Sequence, residues 1–86
     1  MANINILVKR PGDDWKQVTI ENELSEFQRI VGGYIETYDL GYDTLIICNE
    51  EGWLNGMEYN CTIDGNDFAG TIIFCKQDGE GFASIW

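Results

Sequence analysis

Eighty-six residues are enough for one hydrophobic core and too few for two, so residues 1–86 are read as a single domain. Hydrophobic residues at 44% and aromatics at 13% exclude an intrinsically disordered chain. Fifteen acids against five bases give a net charge of −10, a field that repels nucleic acid and anionic membrane because phosphate binding relies on Lys and Arg.

From Asn3 to Arg10, Ile4, Ile6 and Val8 alternate with Asn3, Asn5 and Lys9, the period of a half-buried strand. Pro11-Gly12-Asp13-Asp14 is turn chemistry. Trp15 to Glu21 alternates again, with Val18 and Ile20 opposite Gln17 and Thr19, so the two runs predict an antiparallel hairpin. At Asn22 the period changes: Leu24, Phe27, Ile30 and Val31 share one helical face, with Asn22 expected as N-cap and Gly32-Gly33 as terminator. Tyr34 to Leu40 is a predicted third strand with Tyr34, Glu36 and Tyr38 on one face. After a turn at Gly41-Tyr42-Asp43, the apolar run Thr44 to Cys48 predicts a central strand covered on both sides.

Asn49-Glu50-Glu51-Gly52 is expected to be a hairpin loop leading to a return strand at Trp53-Leu54. Asn55 to Asp67 reads as irregular, with Met57 and Tyr59 as anchors to the core. Phe68 to Lys76 is an expected strand, Asp78-Gly79-Glu80-Gly81 a turn, and Phe82 to Trp86 a last strand. The expected architecture is α+β: a mostly antiparallel sheet built from hairpins, ordered β-β-α-β-β-β-β, with one short helix packed on it.

No catalytic residue is expected. There is no His, a thiol without a His partner lacks activation, and the carboxylate pairs Asp13/Asp14, Glu50/Glu51 and Asp64/Asp67 lie in turns where solvated acids are ordinary. Cys48, Cys61 and Cys75 have no CxxC spacing and read as reduced thiols, so no zinc site is expected. Asp64-Gly65-Asn66-Asp67 lacks the spacing and distal Glu of an EF-hand, and no glycine motif matches a phosphate cradle. Neither metal nor cofactor is expected. Met1 to Arg10 carries no basic segment followed by an apolar stretch, which leads to an expected cytoplasmic location. Trp15, Tyr34, Tyr38, Tyr42, Trp53, Tyr59 and Trp86 exceed what one small core needs; they either line a binding surface or cap the open face of the sheet.

The opening strand Ile4-Asn5-Ile6-Leu7-Val8-Lys9, Leu24 to Gln28 running into Ile30-Val31-Gly32-Gly33-Tyr34-Ile35-Glu36, the Cys48-Asn49-Glu50-Glu51-Gly52 turn with Leu54, Asn60, and Ala69-Gly70-Thr71 resemble the DUF3846 domain family over nearly the whole chain. The resemblance implies a bacterial, phage or mobile-element setting and transfers no activity. Family members often carry a basic residue just after the equivalent of Asn60, where this chain has Cys61. Glu36 is the hardest of the motif residues to explain structurally, because a carboxylate on a strand needs a partner or an open face.

Tyr34, Glu36, Tyr38, Asn49, Glu50, Glu51, Asn60, Asp64 and Asp67 are therefore the candidate protein-binding residues. The leading expectation is a non-enzymatic accessory protein, a monomer or small homo-oligomer. It would bind and inhibit a basic or nucleic-acid-handling host protein, with its acids opposing or mimicking phosphate. The alternatives are a small-ligand or nucleotide-sequestering protein, for which the sequence offers no basic cluster, and a module that self-associates through a sheet edge. An acidic surface that merely keeps the protein dispersed would look the same in sequence.

Overall fold

A computed structural model describes residues 2–79 and 81–86. The first two alternating runs become β1 (Asn3–Lys9) and β2 (Lys16–Glu21), paired antiparallel with Ile4 opposite Ile20 and Ile6 opposite Val18. That register puts the apolar residues of both strands on one face. The helix α1 (Leu24–Val31) lies over this face and buries Phe27 and Val31. Gly32 ends it with φ +83°, and the amides of Gly32 and Gly33 both donate to the Gln28 carbonyl. The expected N-cap moves by one residue, to Glu23, which makes no side-chain capping bond. Asn22 is engaged elsewhere: its amide donates to the Phe82 carbonyl at 3.0 Å.

β3 (Ile35–Gly41) and β4 (Thr44–Asn49) form the second hairpin, turning through Tyr42 and Asp43, both at positive φ. Leu45 to Asn49 is buried throughout, as a central strand covered on both sides requires. β7 (Ile72–Asp78) inserts between β1 and β4, giving the order β2-β1-β7-β4-β3, and every pairing is antiparallel. The three-residue β8 (Gly81–Ala83) pairs with the end of β7. The expected last strand is thus shorter than Phe82 to Trp86. Beyond it the chain runs back along β1, where the Ile85 amide donates to the Asn5 carbonyl. The turn before β8 includes Glu80, which lies outside the described residues.

The structure departs from the sequence reading between Asn49 and Ile72. No return strand begins at Trp53-Leu54. Instead residues 50–56 coil into consecutive turns, with the Asn55 amide donating to the Glu51 carbonyl and the Met57 amide to the Gly52 carbonyl. The stretch expected to be irregular holds a second, two-stranded sheet, β5 (Tyr59–Ile63) and β6 (Asn66–Ala69). Its turn uses Asp64 at φ +51° and Gly65 at φ +79°, the backbone that two-residue hairpin loops favour.

The single strand expected over Phe68 to Lys76 is broken at Gly70, φ +76°, where a Cβ would stand 2.7 Å from Met57 Sδ. That break lets β6 fold back over the sheet while β7 stays within it. Met57 thus packs against Gly70 and Gly32, whereas Tyr59, also expected as an anchor, is 51% exposed.

The sheet therefore carries a core on each face. Under α1 pack Ile4, Ile6, Ile20, Leu45, Ile47, Ile73 and Cys75; under the β5–β6 hairpin pack Ile46, Cys48, Phe68 and Ile72. At about 25 cal/mol per Å² of apolar area buried, these two layers are the main stabilising term. Among the described residues no helix is long and apolar enough to cross a membrane.

Candidate functional site

The coil of residues 50–56 projects from the end of β4 as a lip between β3 and the β5–β6 hairpin, and two clefts flank it. One, of about 70 Å³, is lined by Glu36 and Tyr38 from β3, Cys48 and Asn49 from β4, Glu50 to Leu54 of the lip, and Asp67 to Ala69 of β6. The other, of about 210 Å³, lies between the lip and the C-terminal end of α1, lined by Gly32, Gly33, Tyr34, Asn49, Glu50, Glu51 and Asn55. Neither lining contains a Lys or Arg. The second cleft also meets the negative end of the helix dipole, which favours cations.

The position of the lip follows from one buried side chain. Asn49 donates from Nδ2 to the Val31 carbonyl at 3.2 Å and accepts at Oδ1 from the Glu51 amide at 2.8 Å. The Glu50 amide donates to the Tyr34 carbonyl. Gly33 is needed there, since a Cβ would meet Asn49 Nδ2 at 2.8 Å. Val31-Gly32-Gly33-Tyr34 and Asn49-Glu50-Glu51-Gly52 are thus two sides of one joint.

Seven of the nine candidate residues border these clefts: Glu36, Tyr38, Asn49, Glu50, Glu51 and Asp67 border the first, and Tyr34 the second. Asn60 and Asp64 do not. Asn60 is a buried clamp whose Nδ2 donates to the carbonyls of Lys9 and Gly70 and whose Oδ1 accepts from Lys9 Nζ, tying β5 to β1 and to the β6–β7 break. Asp64 sits at the hairpin turn. Asp67 is held by its own hairpin, accepting from the Thr62 hydroxyl.

Tyr38 packs its ring edge-on against Phe68 at 5.1 Å, so it forms a wall of the first cleft. Its hydroxyl is pushed up by burial and by the neighbouring Glu36 and Cys48. Burial, reinforced by Glu36, pushes the Cys48 thiol up to about 11, and burial pushes Cys75 up to about 12. Neither is a thiolate at neutral pH. Among the described residues no group of three His, Cys, Asp or Glu side chains is placed to hold a metal ion.

Trp53, read from sequence only as one of the surplus aromatics, and Leu54 were not among the candidate binding residues. They stand at the lip 57% and 86% exposed, and the Trp53 ring lies 6.5 Å from that of Tyr59. An apolar pair enclosed by Gly52 and Gly56 behind two glutamates was the available signal.

A family model described as a domain of unknown function, DUF3846, matches residues 4–85. The chain belongs to the DUF3846 family. No curated protein and no solved structure gives a significant match. Cys61, which stands where the resemblance leads one to look for a basic residue, lies near a cation from another strand. Lys9 reaches Asn60 at 2.7 Å, and its charge acts on the Cys61 thiol, which burial pushes up more strongly.

Proposed function

We propose that this DUF3846 domain is a non-catalytic binding module whose acidic lip receives a cationic surface of a partner protein. One observation carries the reading: Glu36, Glu50, Glu51 and Asp67 converge on one cleft from three elements with no basic residue in its lining. They lie beside the exposed Trp53 and Leu54. Carboxylates supply steering and register in an interface, while exposed aromatic and aliphatic side chains supply the area that makes it tight.

The partner class that fits is a basic protein, such as a nucleic-acid-handling protein of the host cell. The lip carboxylates would occupy the cations that otherwise meet phosphate, and binding would inhibit the partner. The bacterial, phage or mobile-element setting that the resemblance implies supports that choice. The test is capture from host lysate with the wild-type domain and with Glu50→Lys/Glu51→Lys, followed by affinity measurement across a salt series. The reading expects a protein captured only by the wild type, with affinity falling as salt rises. Equal capture by the charge-reversed variant, or salt-independent affinity, would refute it.

A further inference from the structure

Of the chain's five cations, Arg10 shares one groove with Arg29 on the α1 side of the sheet and an adjoining hollow with Lys16. They come from the end of β1, the start of β2 and the last turn of the helix. A groove of about 280 Å³ there is lined by Val8, Arg10, Val18, Arg29, Ile30 and Thr71. Val8, Val18 and Ile30 form a half-buried apolar floor that packs against the main core.

The polar groups above the floor have donors to spare. Glu26 occupies the Nε–Nη2 edge of Arg29 at 3.1 Å on each bond, and Nη1 makes no hydrogen bond among the described residues. The Arg10 guanidinium and the Thr71 hydroxyl likewise have no partner among the described residues. An adjoining hollow of about 210 Å³ shares Val8, Arg10 and Val18, and adds Lys16 together with Asp13 and Asp14. Charge is balanced in that outer part, whereas among the described residues Arg10 and Arg29 are the only ionisable groups lining the inner groove.

We propose that this groove is a binding site for a small organic oxyanion, its carboxylate or phosphate between Arg10 and Arg29 and its apolar body on Val8, Val18 and Ile30. A few convergent polar groups over an apolar floor are the general make-up of a small-molecule site. Guanidinium groups match planar and tetrahedral oxyanions through paired N–H donors. The site is independent of the acidic lip: it shares no lining residue with either of the lip's clefts.

The experiment is an amide chemical-shift titration of the isotope-labelled domain with phenyl phosphate, benzoate, inorganic phosphate and benzyl alcohol. Phenyl phosphate or benzoate should give saturable shifts confined to Val8–Arg10, Lys16–Val18, Arg29–Ile30 and Thr71. Benzyl alcohol, which lacks the charge, and inorganic phosphate, which lacks the apolar body, should each bind at least about tenfold more weakly, the scale of one charge-assisted hydrogen bond or a modest buried apolar area. Arg10→Gln should weaken the organic anion by a similar factor while the rest of the spectrum stays in place, which separates loss of the site from loss of the fold. Shifts that do not saturate, that scatter over the surface, or that persist unchanged in Arg10→Gln would overturn the proposal. Inorganic phosphate binding as well as phenyl phosphate would overturn the apolar half of it.

Discussion

Replacing Asn49 removes the joint between α1 and the lip. In Asn49→Ala two hydrogen bonds disappear, from Nδ2 to the Val31 carbonyl and from the Glu51 amide to Oδ1. Val31 is 2% exposed, so its carbonyl loses its partner where water replaces it poorly, whereas Glu51 is exposed and its amide can rehydrate. With about 1–3 kcal/mol for an orphaned buried group and about 0.5–1.5 kcal/mol for an ordinary hydrogen bond, the expected loss is roughly 2–4 kcal/mol. At about 0.05–0.15 kcal/mol per residue the whole domain has only some 4–13 kcal/mol to lose.

Asn49→Asp sharpens the argument. The new carboxylate still accepts from Glu51 but presents a lone pair, not an N–H, to the Val31 carbonyl. Protonation restores a donor, so the folded pKa of the introduced carboxyl must lie above its unfolded value near ~4. A raised pKa stabilises below the unfolded value and ceases to do so as pH rises through the folded one. The deficit of Asn49→Asp against wild type should therefore be small near pH 4 and large at pH 7. Urea titrations of the three proteins at both pH values measure this directly. An Asn49→Ala variant within about 0.5 kcal/mol of wild type, on the scale of ordinary surface substitutions, or an Asn49→Asp deficit that ignores pH, would refute the reasoning.

The β3–β4 turn holds Tyr42 at φ +54° and Asp43 at φ +58°, and the Tyr42 side chain is fully exposed. Tyr42→Asn with Asp43→Gly should therefore raise stability by about 1 kcal/mol, read as a higher melting temperature; a lower one would contradict the strain argument. The cysteines give a pH test. With Cys48 and Cys75 pushed up to about 11 and 12, iodoacetamide at pH 8 should label Cys61 first in the folded protein, with all three labelled in denaturant. The unfolded thiols ionise before the folded ones, so stability should fall as pH climbs from about 9 towards 11, and less steeply in Cys48→Ala/Cys75→Ala.

The sequence disclosed those elements whose signal is local. Ile4, Ile6 and Val8 alternate because only one face of β1 meets α1, and Phe27 and Val31 keep the helical spacing because one stripe is buried. β4 showed as an unbroken apolar run because both its faces are covered. An unbroken run carries no register, however, and this hid the break at Gly70 within Phe68 to Lys76. Asp64-Gly65 was a legible hairpin turn, but the strands beside it are short and mix Asn60, Thr62 and Asp67 with Cys61 and Ile63.

The candidate site was legible as a set of residue types and not as a place. Glu36 and Asp67 reach the same cleft only because β3 pairs with β4 and the β5–β6 hairpin folds back across them. The grouping of Arg10 with Arg29 likewise depends on how α1 lies over the sheet, and nothing local announces it. Asn49 and Asn60 stood out in the sequence, yet their amides are engaged inside the fold. A buried amide and a ligand-binding one look alike until their partners are seen.

The place of β7 also bears on how the chain must be made. It pairs with β1 on one side and β4 on the other, strands that precede it by many residues. A ribosome can release β1, β2, α1, β3 and β4 as two separate hairpins and a helix, but the strand that joins them follows all of these. Until then Ile46, Ile47 and the inward side chains of β1 have no strand between them. Closure waits on contacts distant in sequence, which slows folding relative to a fold of local pairings. Nascent chains stalled before Ile72 would therefore be the ones that need a chaperone.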